Sequence, residues 1–317
     1  MGLDDRPAPD GVGVPKTGRL LTTGELVGAA ILAAFMVGLA LGGGTGLLTV
    51  PKAVLLGAVE GVTEYLPVSS TGHLLVTQRL IGLGAGAGKT AADTYAVAIQ
   101  VGAIAAVLAL YRTRIRTMVQ GILGHDQVGR RLVGRLVVAF LPAAAVGVVF
   151  QTTIKDRLFG PWPIVVAWAA GGVFLLWWGQ THGDRELEAL TTRGAILIGV
   201  AQVAAMWPGV SRSLVSIVAA LAVGLTLAAA LEFSFLLGLA TLLAATVWDL
   251  GNNGATLLAD YGWRTPLLGA LVAFVTAYAA VRWMVGYLRT RPLGNFGWYR
   301  IGIAVVTVIL LAVGALS

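Results

Sequence analysis

Between positions 57 and 73 the chain reads Gly-Ala-Val-Glu-Gly-Val-Thr-Glu-Tyr-Leu-Pro-Val-Ser-Ser-Thr-Gly-His, placing two carboxylates, four hydroxyls of Ser and Thr and an imidazole in an otherwise apolar sequence. Glu60 and Glu64 are four apart and share one face of a helix, where like charges repel unless a cation or protons neutralise them. A metal site is the favoured reading. Pro67 disfavours helical geometry at Leu66 and predicts the helix end there, after which Ser69, Ser70 and Thr71 are N-cap candidates for a second helix. The free amides of that helix would face the glutamates, and helix N-termini attract phosphate. His73 lies one turn beyond Ser70.

A second stretch, at 199 to 213, reads Gly-Val-Ala-Gln-Val-Ala-Ala-Met-Trp-Pro-Gly-Val-Ser-Arg-Ser. A shift of 142 positions lays it on the first without a gap, Gly57 on Gly199, Glu60 on Gln202, Tyr65 on Trp207 and Ser69 on Ser211. The shared order of apolar helix, Pro/Gly break and hydroxyl cluster predicts an internal repeat. Arg212 stands where the first copy has Ser70. One copy thus offers carboxylates and the other a guanidinium, as a site for phosphate and metal requires.

The elements that must position these groups are membrane helices. With 317 residues, 57% hydrophobic, 12% charged and a mean hydropathy of +0.84, the chain is too apolar for a soluble domain and reads as an all-α polytopic membrane protein. Its 43 glycines suit helices packed closely in a bilayer. The absence of cysteine excludes disulfides and thiolate chemistry. The net charge of +7 falls in short clusters between apolar runs, which reads as cytoplasmic loops and not as a nucleic-acid surface.

Residues 1–24 read as a flexible cytoplasmic tail and 25–43 as an extra N-terminal transmembrane helix. The segments 51–83 and 194–225 each hold two helices too short to span, and each reads as a re-entrant hairpin broken near the bilayer middle. Spans are expected near 93–111, 131–150, 162–178, 228–247, 264–285 and 299–316. The cluster Arg112, Arg114, Arg116, Arg130, Arg131 and Arg135 should be cytoplasmic, as should Arg282, Arg289, Arg291 and Arg300 flanking a later loop, with Asp249 and Asp260 in an external one. An odd number of spans then separates the hairpins, so the repeats are inverted. His125 and His182 fall in cytoplasmic loops, and Gln202 reads as a polar packing partner.

Glu-x-x-x-Glu-x-x-Pro-x-Ser-Ser-Thr-Gly-His, Pro-Gly-x-Ser-Arg-Ser and the later Glu232-Phe-Ser-Phe-Leu-Leu resemble the undecaprenyl-diphosphate phosphatase family, the one associated with bacitracin resistance, over about 50–317. The family pattern usually continues Ser-Arg-Ser-Gly-x-Thr, where this chain has Leu214 and Ser216, and Ala240 sits where proline is common. The resemblance implies hydrolysis of a polyprenyl diphosphate to the monophosphate in the plasma membrane, recycling a lipid carrier for cell-wall synthesis. On that reading Glu60 and Glu64 hold Mg²⁺ or Ca²⁺, Arg212 clamps the diphosphate, and Ser69, Thr71, Ser211 and Ser213 add donors. The attacking group is Ser70 activated by His73, His73 itself or a metal-bound water, with the Ser70/His73 pair preferred. Expected partners are the lipid substrate, the bilayer and a second copy of the chain. The rival expectation is a polyprenyl-phosphate carrier, or a binder, without hydrolysis.

Overall fold

A computed structural model describes residues 23–43, 47–84, 86–179 and 183–316. The tail expected over 1–24 falls almost wholly outside these residues, and so does His182. Among the described residues there is no β-strand, and the fold is a bundle of α-helices. In chain order they are α1 (Thr23–Leu41), α2 (Val50–Thr63), α3 (Ser70–Leu80), α4 (Lys89–Leu110), α5 (Arg112–Ile122), α6 (Gln127–Leu158), α7 (Pro161–Trp178), α8 (Thr192–Gln202), α9 (Arg212–Ala222), α10 (Leu227–Tyr261), α11 (Arg264–Leu288) and α12 (Asn295–Ala312).

Six of them, α4, α6, α7, α10, α11 and α12, contain stretches long and apolar enough to cross a membrane. Their outer faces carry Val148, Trp177 and Val247, each at least 66% exposed, as lipid-facing side chains should be. The chain is therefore a multi-pass membrane protein. Short polar side chains start several helices: Asp126 accepts from the Gly129 amide at α6, Thr191 from Gly194 at α8 and Thr226 from Ala229 at α10. Helix α1 lays Leu39 against Leu268 and Val272 of α11.

Two expectations are corrected. Helix α10 does not stop near 247 but runs on to Tyr261, so Asp249 and Asp260 are helical residues and not loop residues. Leu250, Leu257 and Tyr261 recur at helical spacing and pack with Tyr95 of α4, and no proline interrupts them; Gly262, with φ 66°, ends the helix. Arg300, expected as a cytoplasmic charge flanking a loop, instead lies fully buried in the second turn of α12.

Helices α2, α3, α8 and α9, of 14, 11, 11 and 11 residues, fall short of the roughly 20 that a span needs. They pair as α2 with α3 and α8 with α9, around breaks at 64–69 and 203–211. Each leading helix packs against a helix of the other half of the chain, α2 on α11 and α8 on α6. Equivalent glycines make both contacts: a Cβ at Gly57 would strike the Gly269 carbonyl, and one at Gly199 the Ala139 carbonyl. The first break sits in the main core, where Tyr65, Leu66 and Val68 share one buried cluster with Leu214 and Ile217 of α9.

Candidate functional site

The two breaks share one backbone peculiarity. Ser69 (φ 71°) and Ser211 (φ 76°) are the non-glycine residues with positive φ among those described, and each is the N-cap of the helix that follows. Such a conformation costs about 1–3 kcal/mol and persists only where its surroundings hold it. Here each break holds the other. Ser69 Oγ accepts from the Gly209 amide at 3.1 Å, and Ser213 Oγ donates to the Leu66 carbonyl at 2.8 Å. The Trp168 indole N–H adds a bond to the Val68 carbonyl at 2.9 Å.

This interlock brings charges from the two halves together. Arg212 Nη2 meets Glu64 Oε1 at 3.0 Å, while Nη1 donates to the Ser234 carbonyl at 3.3 Å. The guanidinium lies 5.8 Å from the Tyr65 ring centroid, in cation–π range, and against Gly238, where any Cβ would collide with it. The Ser70 hydroxyl donates to the other Glu64 oxygen. A hydroxyl bonded to a carboxylate that a third group orients is the arrangement of an activated nucleophile and its base.

His73 faces elsewhere. Its Nδ1 meets the Ser69 carbonyl at 2.7 Å and its Nε2 the Tyr299 hydroxyl at 2.9 Å, and its ring stacks on Tyr299 and meets the edge of Trp168. A carbonyl only accepts, so Nδ1 carries the proton, and in the neutral ring Nε2 accepts from Tyr299. Both nitrogens are engaged and neither bonds Ser70, so the geometry pairs Ser70 with Glu64 and not with His73. The spacing suggested otherwise because 70 and 73 share a helix face. Side chains in the first turn, however, tilt toward the helix N-terminus, and Ser70 points back across the break.

Glu60 is fully buried and neither carboxylate oxygen has a hydrogen-bond partner. Two carboxylates against one guanidinium leave one buried acid without a counter-charge, which is costly unless a cation or proton joins it. The donor set suits a hard cation. No group of three His, Cys, Asp or Glu gathers among the described residues.

Of the other expected donors, Ser211 Oγ lies 3.0 Å from Ser213 Oγ and accepts from the Leu214 amide, whereas Thr71 is exposed. Leu214 turns into the core, and Ser216 bonds the Arg212 carbonyl at 2.8 Å and Ser234 Oγ at 2.6 Å, tying the Arg212 backbone to α10. Gln202, the counterpart of Glu60, is buried with both amide atoms unpartnered. Glu232 stands apart, ion-paired to Arg114 of α5, which also reaches Glu188 at 2.8 Å. Burial works to lower Arg114, but its bonds to the two glutamates outweigh that and hold it above its ordinary value.

Sequence reasoning missed Tyr299 and Arg300. The signal was present, since an arginine inside an apolar run is costly in a membrane unless it has a task.

Fold and site together define a polytopic membrane protein with a buried hydroxyl–carboxylate–guanidinium site assembled where two helix breaks meet. The family model of the bacitracin resistance protein BacA matches residues 53–306, and the chain belongs to that family. It is similar to an undecaprenyl-diphosphatase of Sorangium cellulosum (strain So ce56), 43% identical over 258 residues, covering 79% of this chain and 83% of the relative. It is similar also to an undecaprenyl-diphosphatase of Rhodopseudomonas palustris (strain TIE-1), 42% identical over 274 residues and covering 84% of this chain and 99% of the relative. The undecaprenyl-diphosphatase 2 of Rhodospirillum rubrum is 40% identical over 263 residues, covering 82% and 94%.

Proposed function

We propose that this chain hydrolyses undecaprenyl diphosphate to the monophosphate and inorganic phosphate in the plasma membrane, with α2/α3 and α8/α9 as inverted re-entrant hairpins that meet inside the bilayer. Family membership supports the substrate. The observation that carries the chemistry is the Ser70–Glu64–Arg212 chain of contacts, which joins a hydroxyl, its proton acceptor and a phosphate-binding fork.

Ser70 Oγ attacks the terminal phosphorus and passes its proton to Glu64. The bond from that phosphorus to the bridging oxygen breaks, and the lipid leaves as the monophosphate. Water, deprotonated by Glu60, then attacks the phosphoserine phosphorus; the bond to Ser70 Oγ breaks, that oxygen takes back the proton held by Glu64, phosphate leaves, and Glu60 passes its proton to solvent. Arg212 Nε, buried without a partner, is a donor free for a phosphate oxygen. Glu60 and Glu64 would hold Mg²⁺ or Ca²⁺, which when bound supplies charge neutralisation for the diphosphate. His73 holds the Ser69 carbonyl and with it the strained start of α3. The prenyl tail enters sideways from lipid, α1 adds a further membrane crossing, and the active unit is one chain or a homodimer.

Release of phosphate from undecaprenyl diphosphate by the purified protein in detergent, with and without divalent metal, tests this reading. Failure to release phosphate while a non-hydrolysable analogue is moved between leaflets would replace it with a carrier, whose architecture inverted repeats also suit.

A further inference from the structure

Arg300 is a fully buried arginine whose partners among the described residues are all backbone carbonyls. Its Nη1 donates to the Pro67 carbonyl at 3.2 Å, and its Nη2 donates to those of Gly209 at 2.8 Å and Ala167 at 3.0 Å. Pro67 and Gly209 are equivalent positions of the 142-residue repeat. Each precedes by two residues a serine of positive φ, Ser69 or Ser211. Each precedes by three a group placed in the site, Ser70 or Arg212.

A guanidinium without a carboxylate partner is an expensive way to join helices, since an apolar side chain of similar volume would fill the same space at lower cost. What it provides is geometry. One rigid planar fork fixes the separation of two carbonyls that belong to different halves of the chain. The surroundings are shaped for it: a Cβ at Gly171 of α7 would strike the guanidinium, and Trp168 of the same helix holds the Val68 carbonyl. Helices α7 and α12 pack together and carry this support beneath both breaks.

We propose that Arg300 is a positioning residue that sets the register of the two breaks against each other, and so keeps the Ser70–Glu64 pair in line with Arg212. The inference rests on the reading of those three residues as the reacting site, but its geometric claim is measurable without turnover.

The test uses the full chain in detergent with two substitutions, Arg300→Lys, which keeps the charge and loses the fork, and Gly171→Ala, which leaves Arg300 in place and presses on it. Hydrogen exchange is followed in peptides covering 64–72 and 206–214. Both breaks should exchange faster together, by about 10-fold in Arg300→Lys and less in Gly171→Ala, while α4, α10 and α11 keep their protection. In turnover, kcat should fall by about 10- to 100-fold, the loss that a displacement near 1 Å can cause. KM should stay within about twofold because the substrate contacts remain.

Faster exchange in one break only, in neither, or throughout the molecule overturns the proposal, and so does a rise in KM at unchanged kcat. Wild-type protein that releases no phosphate, with breaks that still respond in concert, would fail the functional reading and leave the register role standing. Active wild type with unresponsive breaks would fail the register role alone.

Discussion

Arg212 and Glu64 are 148 positions apart in the chain and 3.0 Å apart in space, an ion pair across the two helix breaks. Both side chains are largely buried, Glu64 also accepts from Ser70, and Glu60 beside them has no partner. The two glutamates, alike in sequence, therefore stand in different electrostatic positions.

Glu64→Gln and Glu60→Gln should consequently differ in stability as well as in activity. Removing the Glu64 charge strands a buried guanidinium, a change that costs about 3–5 kcal/mol. Glu60→Gln removes a buried charge with no partner and should leave the melting temperature in detergent unchanged or raised. Both should lose nearly all turnover, and Glu60→Gln should in addition need more divalent metal to reach its own maximum. Equal melting temperatures for the two variants would contradict the pairing.

Ser70→Ala should abolish phosphate release, whereas His73→Gln should lower it without abolishing it. An amide can keep a hydrogen bond to the Ser69 carbonyl, and in the proposed mechanism the Ser70 proton goes to Glu64. The decisive measurement is the pH profile of kcat: a limb present in wild type and missing in His73→Gln would make the imidazole the base. Thr71→Ala, at an exposed position, should stay within about twofold of wild type.

The packing of the leading helices gives a prediction about folding alone. Gly57→Ala and Gly199→Ala put a methyl into the Gly269 and Ala139 carbonyls, and helices forced apart in this way lose about 1–3 kcal/mol. Gly134→Ala, with open space around it, should cost nothing. Melting in detergent reads all three.

Topology is open to test because the chain has no cysteine to remove. Single substitutions Thr113→Cys and Asp260→Cys, both at exposed positions on described helices, should label from opposite sides of the membrane. Labelling of both from one side would overturn the proposed inverted arrangement of the hairpins.

What was legible in the sequence was whatever acts within a few residues. The spacing of Glu60 and Glu64, Pro67 before the hydroxyls, and the 142-residue echo ending in Arg212 all mark the breaks, and the structure places helix ends there. Contacts made by folding were not legible. Tyr299 is 226 positions from His73 and Arg300 is 233 from Pro67, and no local rule relates them. Arg300 also lay beside Arg289 and Arg291 in the sequence, where it read as one more cytoplasmic charge. The length of α10 was missed for a different reason: Asp249, Asn252, Asn253 and Asp260 look like a loop, yet they leave Leu250, Leu257 and Tyr261 free to keep the helix packed on α4.

The last prediction concerns the fork itself. Arg212 uses Nη2 on Glu64 and Nη1 on the Ser234 carbonyl, and its Nε is buried without a partner. Lysine in its place keeps the charge and can satisfy Glu64, but a single ammonium cannot also reach Ser234 and present a further directed donor to phosphate. A hydrogen bond to a charged group contributes about 1.5–3 kcal/mol. Losing one in the transition state should therefore slow Arg212→Lys by roughly 10- to 100-fold. Arg212→Ala should be inactive and less stable, because Glu64 then joins Glu60 as a buried acid without a counter-charge. A residue that only carried its charge to the headgroups would be served as well by lysine. Near-normal kcat in Arg212→Lys, measured at saturating metal on a monodisperse preparation, would remove the clamp from the mechanism, while a loss in kcat with the melting temperature retained would tie the second repeat's arginine to the phosphate held by the first.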